Sequence, residues 1–213
     1  MSLGKVGRNA WRAAALSLAL LSAGCAGLRP EPPMNAGMQS ERVYHQSISL
    51  EGRLSLRYQQ NGHEQAVHGS FTWTQTPGLI VLHLLSPLGQ TIAAIDVKPG
   101  MAMLRQSGKE PRVADDVNQL TEQALGWPLP VAGLRNWLQG FATDAMGKPF
   151  IARPMNDDAV NAVTTPDGWR IQYAGWQVPR AGGAYPKRID LDRVTEQAGE
   201  VAIRIVIDKV QAS

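Results

Sequence analysis

Alternation of apolar and polar positions dominates this chain once its first few dozen residues are past. From Ser47 to Tyr58, Ile48, Leu50, Gly52, Leu54, Leu56 and Tyr58 fall on one face, and Ser49, Glu51, Arg53, Ser55 and Arg57 on the other. A period of two predicts a strand with one buried side. Asn61-Gly62 supplies hairpin turn chemistry. After it Val67, Gly69, Phe71 and Trp73 oppose His68, Ser70, Thr72 and Thr74, which predicts an antiparallel pair with one apolar face. Pro77-Gly78 turns the chain into Leu79–Leu85, apolar on both faces and so in need of cover on both. Ser86-Pro87-Leu88-Gly89-Gln90 breaks that run, Thr91 to Val97 resumes it, and Pro99-Gly100 leads into a short strand from Met101 to Gln106. Five strands joined by short turns predict an up-and-down antiparallel sheet.

At Asp115 the period changes. Val117, Leu120, Ala124 and Leu125 recur at helical spacing, with Asp115 expected as N-cap and Gly126 as the stop. Pro128 and Pro130 precede a second helix, expected from about Val131 to Gln139, with Leu134, Trp137 and Leu138 on one side and Gly140 at its end. Phe141 to Pro166 reads mostly as loop, with one weak strand around Ala159 to Val163. Three alternating runs close the chain, around Trp169 to Tyr173, Arg188 to Asp192 and Val201 to Asp208, with Ala181-Gly182-Gly183-Ala184 expected as a mobile turn between two of them.

The N-terminal residues follow a different logic. Lys5, Arg8 and Arg12 precede the apolar run Ala13–Leu21, which is too short to span a bilayer as a helix of about 20 residues and has the order of a secretory signal. Ser22-Ala23-Gly24-Cys25 then resembles the bacterial lipobox, in which the Cys thiol takes a diacylglyceryl group and becomes the first residue of the mature chain. A thiolate is the nucleophile that thioether formation needs. Several acyl chains meet the requirement that stable anchoring takes more than one. Ala26, rather than Asp, follows Cys25, and the resemblance to Gram-negative lipoproteins then implies the outer membrane. The expected division is therefore a signal peptide over 1–24, a lipidated tether over 25–46 rich in Pro, Gly and Ala, and one domain over 47–213.

Composition changes this picture in one respect. The 21 Lys and Arg outnumber the 18 Asp and Glu, but Lys5, Arg8 and Arg12 leave with the signal and no acid goes with them. The mature chain is then balanced at 18 of each, which removes the case for a nucleic-acid partner. With Cys25 acylated no disulfide is available, and the fold rests on apolar burial. The four histidines form no catalytic or metal constellation: His63 and His68 are five apart and point to opposite sides of a strand. Asp115-Asp116 and Asp157-Asp158 are cap or turn pairs, and no nucleophile elbow or phosphate loop is present. The residues predict neither an enzyme nor a bound metal or cofactor. A sheet with one apolar face capped by helices can use that face as a packed core or as a cavity for acyl chains, and periodicity does not separate the two.

Several segments together resemble the LolB family, the outer-membrane receptors of the lipoprotein localisation pathway. They are the lipobox, the strand around Gly52, Phe71-Thr72-Trp73-Thr74-Gln75-Thr76, Leu84-Leu85-Ser86-Pro87-Leu88-Gly89, Gly126-Trp127-Pro128-Leu129-Pro130 with Leu134-Arg135-Asn136-Trp137-Leu138-Gln139-Gly140, and the last amphipathic strand. The resemblance implies an incomplete antiparallel β-barrel with a helical lid, shared with the soluble carrier LolA. It implies a monomer that takes cargo lipoproteins from that carrier into a hydrophobic cavity and inserts them into outer-membrane lipid without nucleotide. Leu50, Leu54, Leu56, Phe71, Trp73, Leu120 and Trp137 are the expected cavity residues. Pro87, Leu88 and Gly89 are the expected membrane-insertion loop, because a large aliphatic residue stands where a turn ordinarily carries Asn, Gly, Asp or Ser. The competing expectation is a structural or stress-sensing lipoprotein on the same half-barrel. Long, Gly-containing Val178 to Tyr185 departs from the family pattern.

Overall fold

The computed structural model describes residues 42–154, 161–179, 183–196 and 198–212. Cys25, the signal sequence, most of the expected tether, Asp157-Asp158 and Ala181-Gly182 lie outside them. The elements in chain order are β1 (Ile48–Gln60), β2 (His63–Thr76), β3 (Leu79–Leu85), β4 (Thr91–Lys98), β5 (Met101–Arg105), β6 (Arg112–Ala114), α1 (Val117–Leu125), α2 (Val131–Trp137), β7 (Phe141–Thr143), β8 (Pro149–Ile151), β9 (Asn161–Thr164), β10 (Arg170–Gln177), β11 (Tyr185–Thr195) and β12 (Gly199–Ala212). Ten strands form one antiparallel sheet in the order β6-β5-β4-β3-β2-β1-β12-β11-β10-β9, and β7-β8 is a separate hairpin. The terminal strands β6 and β9 are not joined to each other, so the sheet is an open half-barrel. None of the helices among the described residues is long and apolar enough to cross a membrane.

Register follows the hydrophobic pattern, because a one-residue slip would turn every apolar side chain outward. Leu54 lies between Gly69 of β2 and Ile205 of β12, and Leu50 pairs with Trp73. The inner face carries Ile48, Leu50, Leu56, Phe71, Trp73, Ile80, Leu82, Ile95, Ile189 and Ile203, all buried in one cluster that also takes in Leu120, Leu134 and Trp137 from the helices. Two glycines let strands approach that no other residue would allow. A Cβ at Gly52, where the register shifts, would meet the Val206 carbonyl oxygen and the Phe71 ring; one at Gly69 would run into the Leu85 carbonyl. Gly69→Val is therefore expected to lower stability by about 1–3 kcal/mol through overpacking, whereas Gly78→Ala, with open space around it, stays near wild type. Chemical denaturation midpoints check this, and equal midpoints for the two variants refute it.

Several boundaries differ from those expected. Asp116, not Asp115, caps α1, accepting from the Gln119 amide at 2.9 Å; Gly126 ends the helix in the left-handed conformation at φ 81°, as its sequence position implied. Helix α2 stops at Trp137, where the Gln139 and Gly140 N–H groups turn back to the Asn136 and Trp137 carbonyls and Gly140 takes φ 81°, the stop its sequence position implied. Short β7 and β8 replace expected loop and β6 adds a strand where none was expected, because three-residue strands carry no readable period, and the weak strand sits at Asn161–Thr164. The apolar run of β3 is buried at Ile80, Leu82 and Leu84 but only half-buried at Val81, His83 and Leu85, so its outer face is partly, not fully, covered. It is a central strand, flanked there by Thr72 and Thr74 of β2 and by Ala94 and Asp96 of β4.

Candidate functional site

The two helices and their linker act as one cover over the inner face. The Thr121 hydroxyl donates to the Leu129 carbonyl at 3.1 Å, and Asn118 Oδ1 accepts from the Ala132 amide at 3.3 Å, which ties α1 to the start of α2. Trp137 packs against Trp169 with ring centroids 6.4 Å apart, which fixes the far end of the cover to the sheet. Between cover and sheet is a wholly apolar cavity of about 20 Å³, lined by Leu54, Phe71, Trp73, Leu82 and Leu84, by Ile203 and Ile205 of β12, and by Leu129, Leu134 and Leu138 from the helical side. That is room for about one water molecule, against the ~300 Å³ at which small-molecule pockets begin. The inner face is closed.

Of the seven expected cavity residues, Leu54, Phe71 and Trp73 line this space; Leu50, Leu56, Leu120 and Trp137 are buried in the surrounding core. Leu82, Leu84, Ile203 and Ile205 are legible in the sequence as buried strand positions and Leu134 and Leu138 as the apolar side of the second helix, but Leu129 gives no such signal, since its role depends on how the linker settles on the sheet. A wider concavity of about 250 Å³ opens above, sharing Leu54 and Leu84 with the closed space and bounded by Tyr58, Val67, Ile92, Leu125 and Trp127. It forms a mouth between the C-terminal end of α1 and the ends of β1, β3 and β5.

The Ser86–Gln90 loop stands at that same end of the sheet. Its backbone is fixed by Gly89 N–H donating to the Ser86 carbonyl at 2.9 Å and Ser86 N–H donating to the Gln90 carbonyl at 2.8 Å, and Gly89 adopts φ 79°. Leu88 at its tip is 88% exposed, more than any other large apolar residue described. Pro87 and Gly89 flank it, and at that exposure it has almost no packing against the described residues.

At the opposite end, residues placed in the tether by composition contact the folded body. His45 N–H donates to Gln139 Oε1 at 2.9 Å, Gln139 Nε2 donates to the His45 carbonyl at 3.0 Å, and Gln75 Nε2 donates to the Tyr44 hydroxyl at 2.9 Å. Arg42 donates to the Gln139 carbonyl and lies 4.8 Å from the Trp176 ring centre. Burial pulls its guanidinium down to about 10, opposed by the Tyr185 and Tyr173 phenols. Burial in turn pushes the Tyr173 phenol up. This strap clamps the end of α2, and nothing in a Pro-rich polar stretch announces it.

An open antiparallel sheet, shut on its apolar face by a two-helix cover and carrying one projecting aliphatic loop beside the mouth, defines a lidded half-barrel. The family described as "Outer membrane lipoprotein LolB" matches residues 46–209. Outer-membrane lipoprotein LolB of Cupriavidus pinatubonensis is 39% identical, the match covering 92% of this chain and 93% of that protein. The protein of the same name in Cupriavidus taiwanensis is 37% identical over 91% of this chain and 93% of its own. Among solved structures, a LolA superfamily protein from Nitrosomonas europaea aligns at TM-score 0.47 and 13% identity, covering 81% of this chain and 88% of that one. The chain belongs to the LolB family of outer-membrane lipoproteins.

Proposed function

We propose that this protein is the outer-membrane receptor that takes lipoproteins from a LolA-type periplasmic carrier, shelters their acyl chains between sheet and lid, and releases them into the outer membrane. The observation that supports this reading is the lidded apolar face with its mouth at the end of the sheet from which Leu88 projects. Because the enclosed space is about 20 Å³, cargo binding requires the α1–α2 cover to move away from Phe71, Trp73, Leu82 and Leu84. Each methylene withdrawn from water then contributes about 0.8 kcal/mol, so several carbons offset the packing given up as the cover opens. Transfer without nucleotide is driven by difference in affinity for the acyl chains along the route. Family membership favours this reading over a structural or stress-sensing lipoprotein.

In the same reading Cys25 carries the lipid anchor and 26–41 tether the body, so the anchor localises the receptor rather than taking part in transfer. Cys25→Ala, exported by a cleavable signal, is expected to yield soluble periplasmic protein that still accepts lipoprotein from the loaded carrier. Carrier-to-receptor transfer followed by co-purification measures it. A soluble form that folds but receives no cargo removes this account of the anchor.

A further inference from the structure

We propose that the outer face of the sheet beneath the Ser86–Gln90 loop holds a phosphate-binding groove for a phospholipid headgroup of the target membrane, engaged when Leu88 enters that membrane. The inference rests on the proposed reading of Leu88. On this face β2, β1 and β12 place two rows of side chains next to one another: Ser70, Arg53 and Val206 in one, His68, Ser55 and Arg204 in the next. The small serines form a floor and the long basic side chains form walls. Ser86, Pro87 and Gly89 of the loop close one side, giving a concavity of about 490 Å³. A phospholipid headgroup fits such a space, and the loop that carries Leu88 is one of its walls.

The charge of the groove points the same way. Arg53 gives Nε and Nη2 to Asp208 at 2.9 and 3.0 Å, and Asp208 also meets Lys187 at 3.4 Å. Asp190 meets Arg204 at 2.6 Å and Arg188 at 3.2 Å. Four cations thus share two carboxylates; of the four, Arg53 and Arg204 line the concavity, and no acid lines it among the described residues. Arg53 keeps Nη1, and Arg204 keeps both terminal nitrogens, without hydrogen bonds among the described residues. The two carboxylates hold the guanidinium groups in place; Arg204 keeps its Nη1–Nη2 pair for a two-pronged contact with phosphate, and Arg53 adds the single donor Nη1. Hydroxyls of Ser55 and Ser70 add neutral donors from the floor and that of Ser86 from the loop side. A membrane phospholipid is favoured over a free anion because the groove is walled on one side by the loop that carries the exposed Leu88, so a phosphate seated in it has its acyl chains where that leucine enters.

The test uses the mature full-length chain with Cys25→Ala, so that no anchor masks weak binding, titrated with vesicles of phosphatidylethanolamine and phosphatidylglycerol. The paired variant Arg53→Gln, Arg204→Gln is expected to melt as the parent does and to accept cargo from the carrier, but to bind vesicles at least about tenfold more weakly and with less salt sensitivity. Ser55→Tyr fills the floor without removing a charge and is expected to show the same loss; it decides the question if the arginine pair fails to fold. Unchanged vesicle binding in the folded variants overturns the groove. Protection of the arginines by inorganic phosphate alone, with none by vesicles, overturns its assignment to a membrane lipid. Leu88→Glu is read alongside: lost binding in that variant only sinks the groove and spares the proposed function, whereas a parent protein that takes no cargo sinks the proposed function itself.

Discussion

Leu88→Glu is expected to leave the protein folded and able to take lipoprotein from its carrier, while insertion of that lipoprotein into vesicles or outer membrane falls by about thirtyfold. The side chain is 88% exposed, so the folded state loses almost nothing, within about 0.5 kcal/mol as for ordinary surface positions. Burying one Leu in apolar surroundings is favourable by roughly 2 kcal/mol, which corresponds to that factor in rate or occupancy. A carboxylate in its place must also be brought against a bilayer surface. The loop holds its shape in the variant, because its hydrogen bonds run among Ser86, Gly89 and Gln90 and none uses the Leu88 side chain. The check pairs a thermal melt and a carrier-transfer assay with an insertion assay. A melt lowered as for a core leucine, or insertion at the parent rate, removes Leu88 from the mechanism.

The second large effect concerns the cover. Leu134 lines the closed space from α2 and is buried, so Leu134→Ala is expected to cost about 2–5 kcal/mol of stability by leaving a cavity. The packing that Leu134 provides joins cover to sheet, so its removal penalises the open state less than the closed one. Uptake of a fluorescent acyl probe should therefore become faster in the variant although the protein is less stable. Ile189→Ala, buried in β11 but absent from the cavity lining, supplies the comparison: similar destabilisation with no gain in uptake. Stopped-flow probe binding beside urea denaturation separates them. Equal uptake rates in the two variants show that the cover does not limit access.

Legibility in the sequence tracks how local each determinant is. Strands β1, β2 and β12 are readable because Leu50, Leu54, Phe71, Trp73 and Ile205 repeat at a period of two over long runs, and α1 because an Asp and a Gly bracket it. Strands β6, β7 and β8 span three residues each and hold no period. Whether the inner face is core or cavity is unreadable for a different reason: the answer lies in where Leu129, Leu134 and Leu138 settle against residues about fifty or more positions away. The strap escapes because a half-buried Arg and a buried, paired Gln violate the pattern by which burial is inferred. Ser55, Ser70 and Arg53 look like an ordinary solvent face, and their meaning comes from the loop folded beside them.

The chain enters the sheet at the end where β1 begins, clamped by Arg42, Tyr44 and His45, and Leu88 stands at the other end of β3. With an anchor at Cys25, this arrangement turns the tether into a leash with a required length. Seventeen steps separate Cys25 from Arg42, a contour of at most about 60 Å, whereas a flexible stretch of that size has a root-mean-square span of only roughly 20–25 Å. The seven residues of β3 alone stand about 23 Å tall. For anchor and leucine to meet one bilayer, the leash must run back beside the body for at least that height. On the proposed reading, then, a chain of that length reaches its root-mean-square span in the posture in which Leu88 meets the bilayer, and delivery carries an entropic cost that other postures of the body do not.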